Sequence, residues 1–185
     1  MNEDTILVSA VLRGDTHAFR RLVQQHQRLV GHLVGRVANR PEDCEDISQE
    51  VFIRVYQRLP TFQFQSRLST WIATVAYRTA LNHVQKEKKH RTEPIEQAEA
   101  HHQTAPDAVD QLEKKATHAF VHEQIAQLPV QYRTVLTLFH LEEMSLNEIQ
   151  EITGMPAGTV KNYLFRARKL LKNRLQARYL NEELL

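Results

Sequence analysis

Apolar residues recur every three or four positions along most of the chain, the spacing of a buried stripe on an α-helix, and strand-type alternation is hard to find. A short helix is expected over Asp4–Leu12, stopped by Arg13-Gly14. Asp15 is a good N-cap for the next helix, in which Phe19, Leu22, Val23, His26, Val30, Leu33, Val34 and Val37 form the stripe. "NRP" (Asn39–Pro41) ends that helix and starts another, whose stripe is Ile47, Val51, Val55 and Leu59. Thr61–Ser66 reads as a loop, and a helix from about Arg67 to Lys89 runs into the basic stretch "KEKKHR".

The pattern then lapses. Thr92–Ala108 has no apolar period, two prolines and many polar residues, the composition of a linker. Past it a helix runs to Leu128, and Pro129 suits the first position of another with Tyr132, Val135, Leu136 and Phe139 inside. "SLNE" (Ser145–Glu148) has the spacing of a capping box and opens a short helix with Leu146, Ile149 and Ile152 inside. Thr153-Gly154-Met155 breaks it, and Pro156 begins the last helix. The expected architecture is all-α: a helical domain over 1–91, a flexible linker over 92–106 and a second helical domain over 107–185.

Charge changes this picture from architecture towards partners. The formal net charge is only +2, but it is segregated. Ile152–Asn181 contains no acid and seven bases: Lys161, Arg166, Arg168, Lys169, Lys172, Arg174 and Arg178. Pro41–Glu50 is the reverse, with Glu42, Asp43, Glu45, Asp46 and Glu50 and no base. Two surfaces of opposite sign suit two kinds of partner. The single cysteine, Cys44, excludes an intramolecular disulfide framework and fits a reducing compartment. The N-terminus lacks the pattern of a signal peptide, and no apolar run approaches the roughly 20 residues that span a bilayer. A cytoplasmic protein is expected.

Two helices joined by a short glycine-containing turn, the second long and basic, have the pattern of a helix-turn-helix. Val160, Leu164, Ala167 and Leu171 would face inward, leaving Thr159, Lys161, Asn162, Tyr163 and Arg166 outward in the first turns, where a recognition helix meets base edges. The later bases, Arg168 to Arg178, would meet phosphate or water. A solvated amphipathic helix is the plainer alternative. The acidic cluster admits another, a Mg²⁺-dependent nuclease, but one helix supplies all its carboxylates, and no His–carboxylate group or glycine-rich phosphate loop is apparent beside them. His118 and His122 have zinc-ligand spacing without further identifiable ligands. No catalytic residue, cofactor or metal site is therefore assigned, and a helix-turn-helix regulator acting without further machinery is the runner-up function.

Longer segments narrow the choice. "CEDISQEVFIRVYQRLPTF" followed by "STWIATVAYRTALNHV", and later "LPVQYRTVLTLFHLEEMSLNEIQEITGMPAGTVKNYLFRARKLL", resemble the core and the C-terminal promoter-binding domain of bacterial sigma factors of the extracytoplasmic-function class. The resemblance implies a protein that binds core RNA polymerase, directs it to promoters with −10 and −35 elements and helps melt them. The acidic helix would meet the clamp of the largest polymerase subunit, with Asp43, Asp46, Gln49, Glu50 and Ile53 on one face, and the C-terminal domain the flap of the second large subunit. Phe62, Gln63, Phe64, Gln65, Ser66 and Arg67, with Trp71, would form the −10 reader. Phe62, Phe64 and Trp71 suit either stacking on bases or packing in the core. Arg78, Asn82, His83 and Lys86 would track the DNA strand, although the family commonly has Asn at the place of Arg78. Pro156, Gly158, Thr159, Lys161, Asn162, Tyr163, Phe165 and Arg166 would read the −35 element. Ser is common where this chain has Asn162, and Arg where it has Tyr163, so the preferred sequence is expected to differ. An anti-sigma partner, frequently membrane-anchored, is a further family implication.

Overall fold

The computed structural model describes residues 3–90, apart from 39 and 41, and residues 120–182. The expected linker, 92–106, lies outside them. The first bundle contains α1 (Glu3–Leu12), α2 (Thr16–Val37), α3 (Asp43–Arg58) and α4 (Leu68–His90), with a 3-10 turn at Leu59–Thr61. Helix α2 packs on α1, α3 and α4, and α3 on α4. The second bundle contains a helical segment over 120–126 (α5), then α6 (Val130–His140), α7 (Leu146–Thr153) and α8 (Ala157–Glu182). No strand occurs among the described residues.

The elements form for the reasons their sequences suggest. Asp15 accepts hydrogen bonds from the backbone N–H groups of His17 and Ala18, satisfying two donors that the first turn of α2 leaves open. Ser145 and Glu148 cap α7 reciprocally. Gly154 ends α7 in the left-handed region, at φ 71°, where a side chain would be strained. Pro129 stands one place earlier than expected: it is the N-cap of α6, and its carbonyl accepts from Tyr132 and Arg133. The stripes go where their spacing sends them. Ile47, Val51, Val55 and Leu59 are fully buried with Leu22, Leu33, Leu68 and Ile72, and Leu138, Ile149, Ile152 and Val160 centre the second bundle.

The sequence left the mutual placement of the two bundles open. In the structure they pack together, α2 against α6 and α4 against α7. At the first contact Arg36 is 4% exposed; its Nε donates to Thr137 Oγ1 at 3.2 Å, and a terminal nitrogen lies 2.8 Å from His122 Nδ1. Arg133 donates to the carbonyls of Arg36 and Ala126. Burial, then the neighbouring Arg133 charge, lowers the Arg36 pKa to about 10. Desolvating an ion costs several kcal/mol, whereas a hydrogen bond to a charged group returns about 1.5–3 kcal/mol. Neutral acceptors thus roughly balance the burial of Arg36, so this contact orients the bundles more than it binds them. A second contact joins His32 Nδ1 to Glu142 Oε1 at 2.5 Å.

Candidate nucleic-acid and polymerase interfaces

The acidic face of α3 is built on the side opposite its buried stripe. Asp46 and Gln49 are exposed, and Ile53 is 57% exposed. Glu50 continues the face but is already engaged: Arg54, one turn on, donates to its carboxylate at 2.9 and 2.5 Å. That i,i+4 pair was readable from spacing and was missed. Tyr56, also missed, extends the face with 51% exposure and lies edge-on to Phe19, with ring centroids 5.0 Å apart. Asp43 departs from the set. It turns towards α4, where its Oδ2 lies 3.9 Å from His83 Nε2.

Where the loop meets the start of α4, three aromatic rings lie in a row, each tilted against the next. Trp71, half-buried, lies 5.3 Å from Phe62, and Phe62 lies 4.7 Å from Phe64. Phe62 is 8% exposed and belongs to the core, the packing alternative of the two it suited. Phe64 is the exposed tip, 47% accessible, with φ 56°. A bulky residue in that region is strained, and such strain concentrates where a loop must hold one shape. Gln63 and Gln65 are exposed and hydrogen-bonded to each other at 3.1 Å, Ser66 is half-buried beside them, and the Arg67 side chain is 78% exposed. The loop therefore presents amides, a hydroxyl, a guanidinium and one ring to solvent. Arg78, Asn82 and Lys86 are exposed along α4, with His83 half-buried beside them.

In the helix-turn-helix, Val160, Leu164 and Ala167 are buried and Leu171 partly so. Lys161, Asn162 and Arg166 are exposed, and Thr159 is half-buried. Phe165 is 67% exposed and makes a ring available on the same outward side. A Cβ on Gly158 would meet nothing within 4 Å, so the entry to the helix is open. Pro156 is exposed just before it. Tyr163 corrects an expectation: its ring leans inward against Tyr132, edge to face at 5.1 Å, and it is half-buried rather than outward. Two later bases are also committed inside the bundle. The Arg168 guanidinium lies 5.1 Å from the Phe139 ring centre and its Nε donates to His140 at 3.1 Å, while Arg174 bonds Gln127. Lys161, Arg166, Lys169 and Lys172 are exposed, and their side chains make no hydrogen bond or ion pair with another of the described residues.

Behind α8 runs an apolar groove of about 480 Å³, lined by Val121, Ile125, Leu136, Leu141, Leu171 and Leu175, with Lys172 and Arg168 at its edge. Periodicity could not show it, because residues of three helices make it.

The described residues thus form two all-helical bundles, one with an acidic face and an aromatic loop, the other with a helix-turn-helix. The family follows from comparison. Residues 22–90 match the family model for Sigma-70 region 2, and residues 121–171 that for Sigma-70, region 4. The RNA polymerase sigma-H factor of Pseudomonas aeruginosa is 32% identical over 182 residues, covering 94% of each chain. The ECF RNA polymerase sigma factor SigW of Bacillus subtilis is 32% identical, covering 91% of this chain and 95% of its own. The ECF RNA polymerase sigma-E factor of Escherichia coli is also 32% identical, covering 94% of each. The chain belongs to the ECF class of the sigma-70 family, the factors that direct RNA polymerase to promoters. Its fold is that of the sigma factor RpoE in complex with the anti-sigma factor NepR from Bartonella quintana, with TM-score 0.70 and 17% identity over 85% of this chain and 96% of that one. CnrH in complex with the cytosolic domain of CnrY gives TM-score 0.66 and 19% identity over 95% and 99%.

Proposed function

We propose that the labour is divided as the exposed surfaces divide it. Asp46, Gln49, Glu50 and Ile53 of α3 bind the clamp of the largest polymerase subunit, and Tyr56 enlarges that footprint. Gln63, Phe64, Gln65, Ser66 and Arg67 hold an unstacked base of the −10 element, with the exposed Phe64 ring as the stacking face. Arg78, Asn82 and Lys86 follow the strand. Lys161, Asn162 and Arg166 read the −35 element, and the apolar groove behind α8 receives the flap of the second large subunit. The domains run over 1–91 and 107–185. The factor supplies binding and strand capture to the polymerase and catalyses no reaction of its own. It works in the cytoplasm, where polymerase and promoters are; among the described residues no helix is long and apolar enough to cross a membrane. The complexes named above support an anti-sigma protein as a partner.

The observation that carries this reading is the joint placement, in one chain and in family order, of an exposed acidic face, an exposed aromatic loop tip and an outward basic helix start. Run-off transcription with core polymerase over a promoter library tests it. Specific transcripts that need both protein and core enzyme are expected, and DNA binding without any affinity for core enzyme would overturn it.

A further inference from the structure

We propose that Asp43, His83 and Glu87 form a binding site for a divalent first-row transition-metal cation, which would tie the start of α3 to α4. The nearest ligand atoms of the three side chains all lie within 4.8 Å of one another. His83 and Glu87 are one helical turn apart on α4, so they share a face, and Asp43 comes to that face from a different helix. The His83–Asp43 approach of 3.9 Å is too long for a hydrogen bond. Two donors of one tetrahedral ion with bonds of about 2.0–2.2 Å stand roughly 3.3–3.6 Å apart, so the side chains would have to rotate inward for all three to share one.

The Asp43 carboxylate supplies a second observation. Its Oδ2 is sealed from solvent and has no hydrogen-bond partner among the described residues. It caps no helix either, since the N-cap of α3 is Glu42, which makes no side-chain cap bond. An oxygen taken out of water without a donor is destabilising, and a cation is the partner this one lacks. The side chains of His83 and Asp43 keep 32% and 23% exposure, so an ion has a way in. One imidazole and two carboxylates are a borderline-to-hard donor set, suited to Zn²⁺, Fe²⁺ or Mn²⁺ rather than to Cu⁺, and three protein ligands leave a position for water. Of the histidine pair with zinc-ligand spacing, His118 lies outside the described residues, and Nδ1 of His122 faces the Arg36 guanidinium at 2.8 Å.

The inference does not depend on the sigma-factor assignment, and its test uses neither polymerase nor DNA. Full-length protein stripped with EDTA would be titrated with ZnCl₂ by calorimetry and with CoCl₂ in the visible range. One Zn²⁺ equivalent and a cobalt d–d band are expected. Asp43→Asn and Glu87→Gln, which keep side-chain shape, should each weaken Zn²⁺ at least tenfold and abolish the band, whereas His17→Ala on the exposed side of α2 should change neither. Circular dichroism in EDTA checks that the variants fold, and the two isosteric variants decide the matter if His83→Ala does not. Binding with wild-type affinity and stoichiometry in both isosteric variants, or no binding by the wild type, overturns the site.

Discussion

Thr70 Oγ1 donates to Glu148 Oε1 at 3.1 Å, so the helix assigned to the −10 element holds the carboxylate that caps the first helix of the helix-turn-helix. Burial pushes the Glu148 pKa up, but hydrogen bonds from Ser145 and Thr70, with Arg67 nearby, outweigh it and hold the group below its ordinary value of 4.5. A depressed carboxylate stabilises the fold above its unfolded pKa, and the contribution is lost as pH falls through the folded value. Glu148→Gln keeps a side chain that can cap but removes the charge that Ser145, Thr70 and Arg67 face, so it should cost up to about 1 kcal/mol near neutral pH. The gap to wild type should narrow on acidification below pH 4.5, the reference value, in urea melts taken across pH.

Arg36 gives a contrasting expectation. Its guanidinium is buried among neutral acceptors and beside Arg133. Arg36→Met keeps the length and removes the charge, so stability should change by less than about 1 kcal/mol or rise. Arg36→Ala leaves a cavity as well and should lose about 2 kcal/mol. Chemical denaturation of the two variants measures the difference.

Two neighbouring phenylalanines should separate stability from function. Phe62→Ala removes a buried ring and should cost about 3–5 kcal/mol. Phe64→Ala removes an exposed one and should leave the melting temperature nearly unchanged, while weakening promoter opening by about 1–3 kcal/mol if the ring stacks on a base. Permanganate footprinting on duplex and pre-melted templates reads the second effect; equal opening by Phe64→Ala and wild type on duplex DNA would reject the stacking role.

On α3, Asp46→Lys with Glu50→Lys should abolish binding to core polymerase and spare duplex binding. Glu50→Lys also strips Arg54 of its partner, so Asp46→Lys alone is the cleaner variant. Its exposed position predicts an unchanged fold, and normal core affinity of the double variant would refute the face.

On α8, Arg166→Ala should relax preference at one or two −35 positions, because an arginine paired to guanine is worth about 1–3 kcal/mol of discrimination. Lys172→Ala should leave preference intact. If Lys172 touches phosphate, affinity falls for all sequences and the salt slope drops by about one; if it touches nothing, neither changes. Selection of duplexes from a randomised −35 library at several salt concentrations distinguishes these outcomes.

Local structure was legible because its causes are local. The Asp15 cap, the Ser145–Glu148 box, the Gly154 stop and the stripe from Ile47 to Leu59 each follow from spacing within one or two turns. What escaped were relations between residues far apart in sequence. Arg36, Thr70 and Glu142 look like ordinary solvated positions until α6 and α7 are laid against them. Tyr163 stands three residues after Val160 and four before Ala167, on the flank of the inward stripe, and its packing against Tyr132 on another helix was missed although the spacing allowed it. The approach of Asp43 to His83 and Glu87 was hidden for the same reason, since Asp43 and His83 were read as serving different partners and Glu87 was not singled out.

The packing of α2 on α6 and of α4 on α7 also bears on how strongly the factor acts. If engaging both promoter elements required the bundles to part, only the parted fraction of molecules would be competent. Apparent affinity is the intrinsic affinity scaled by that fraction, so every ~1.4 kcal/mol of closure lowers it about tenfold. The seam of Arg36, Thr137, His32 and Glu142 would then act as a gain setting: changes there would raise or lower output at every promoter together and leave the choice among promoters alone.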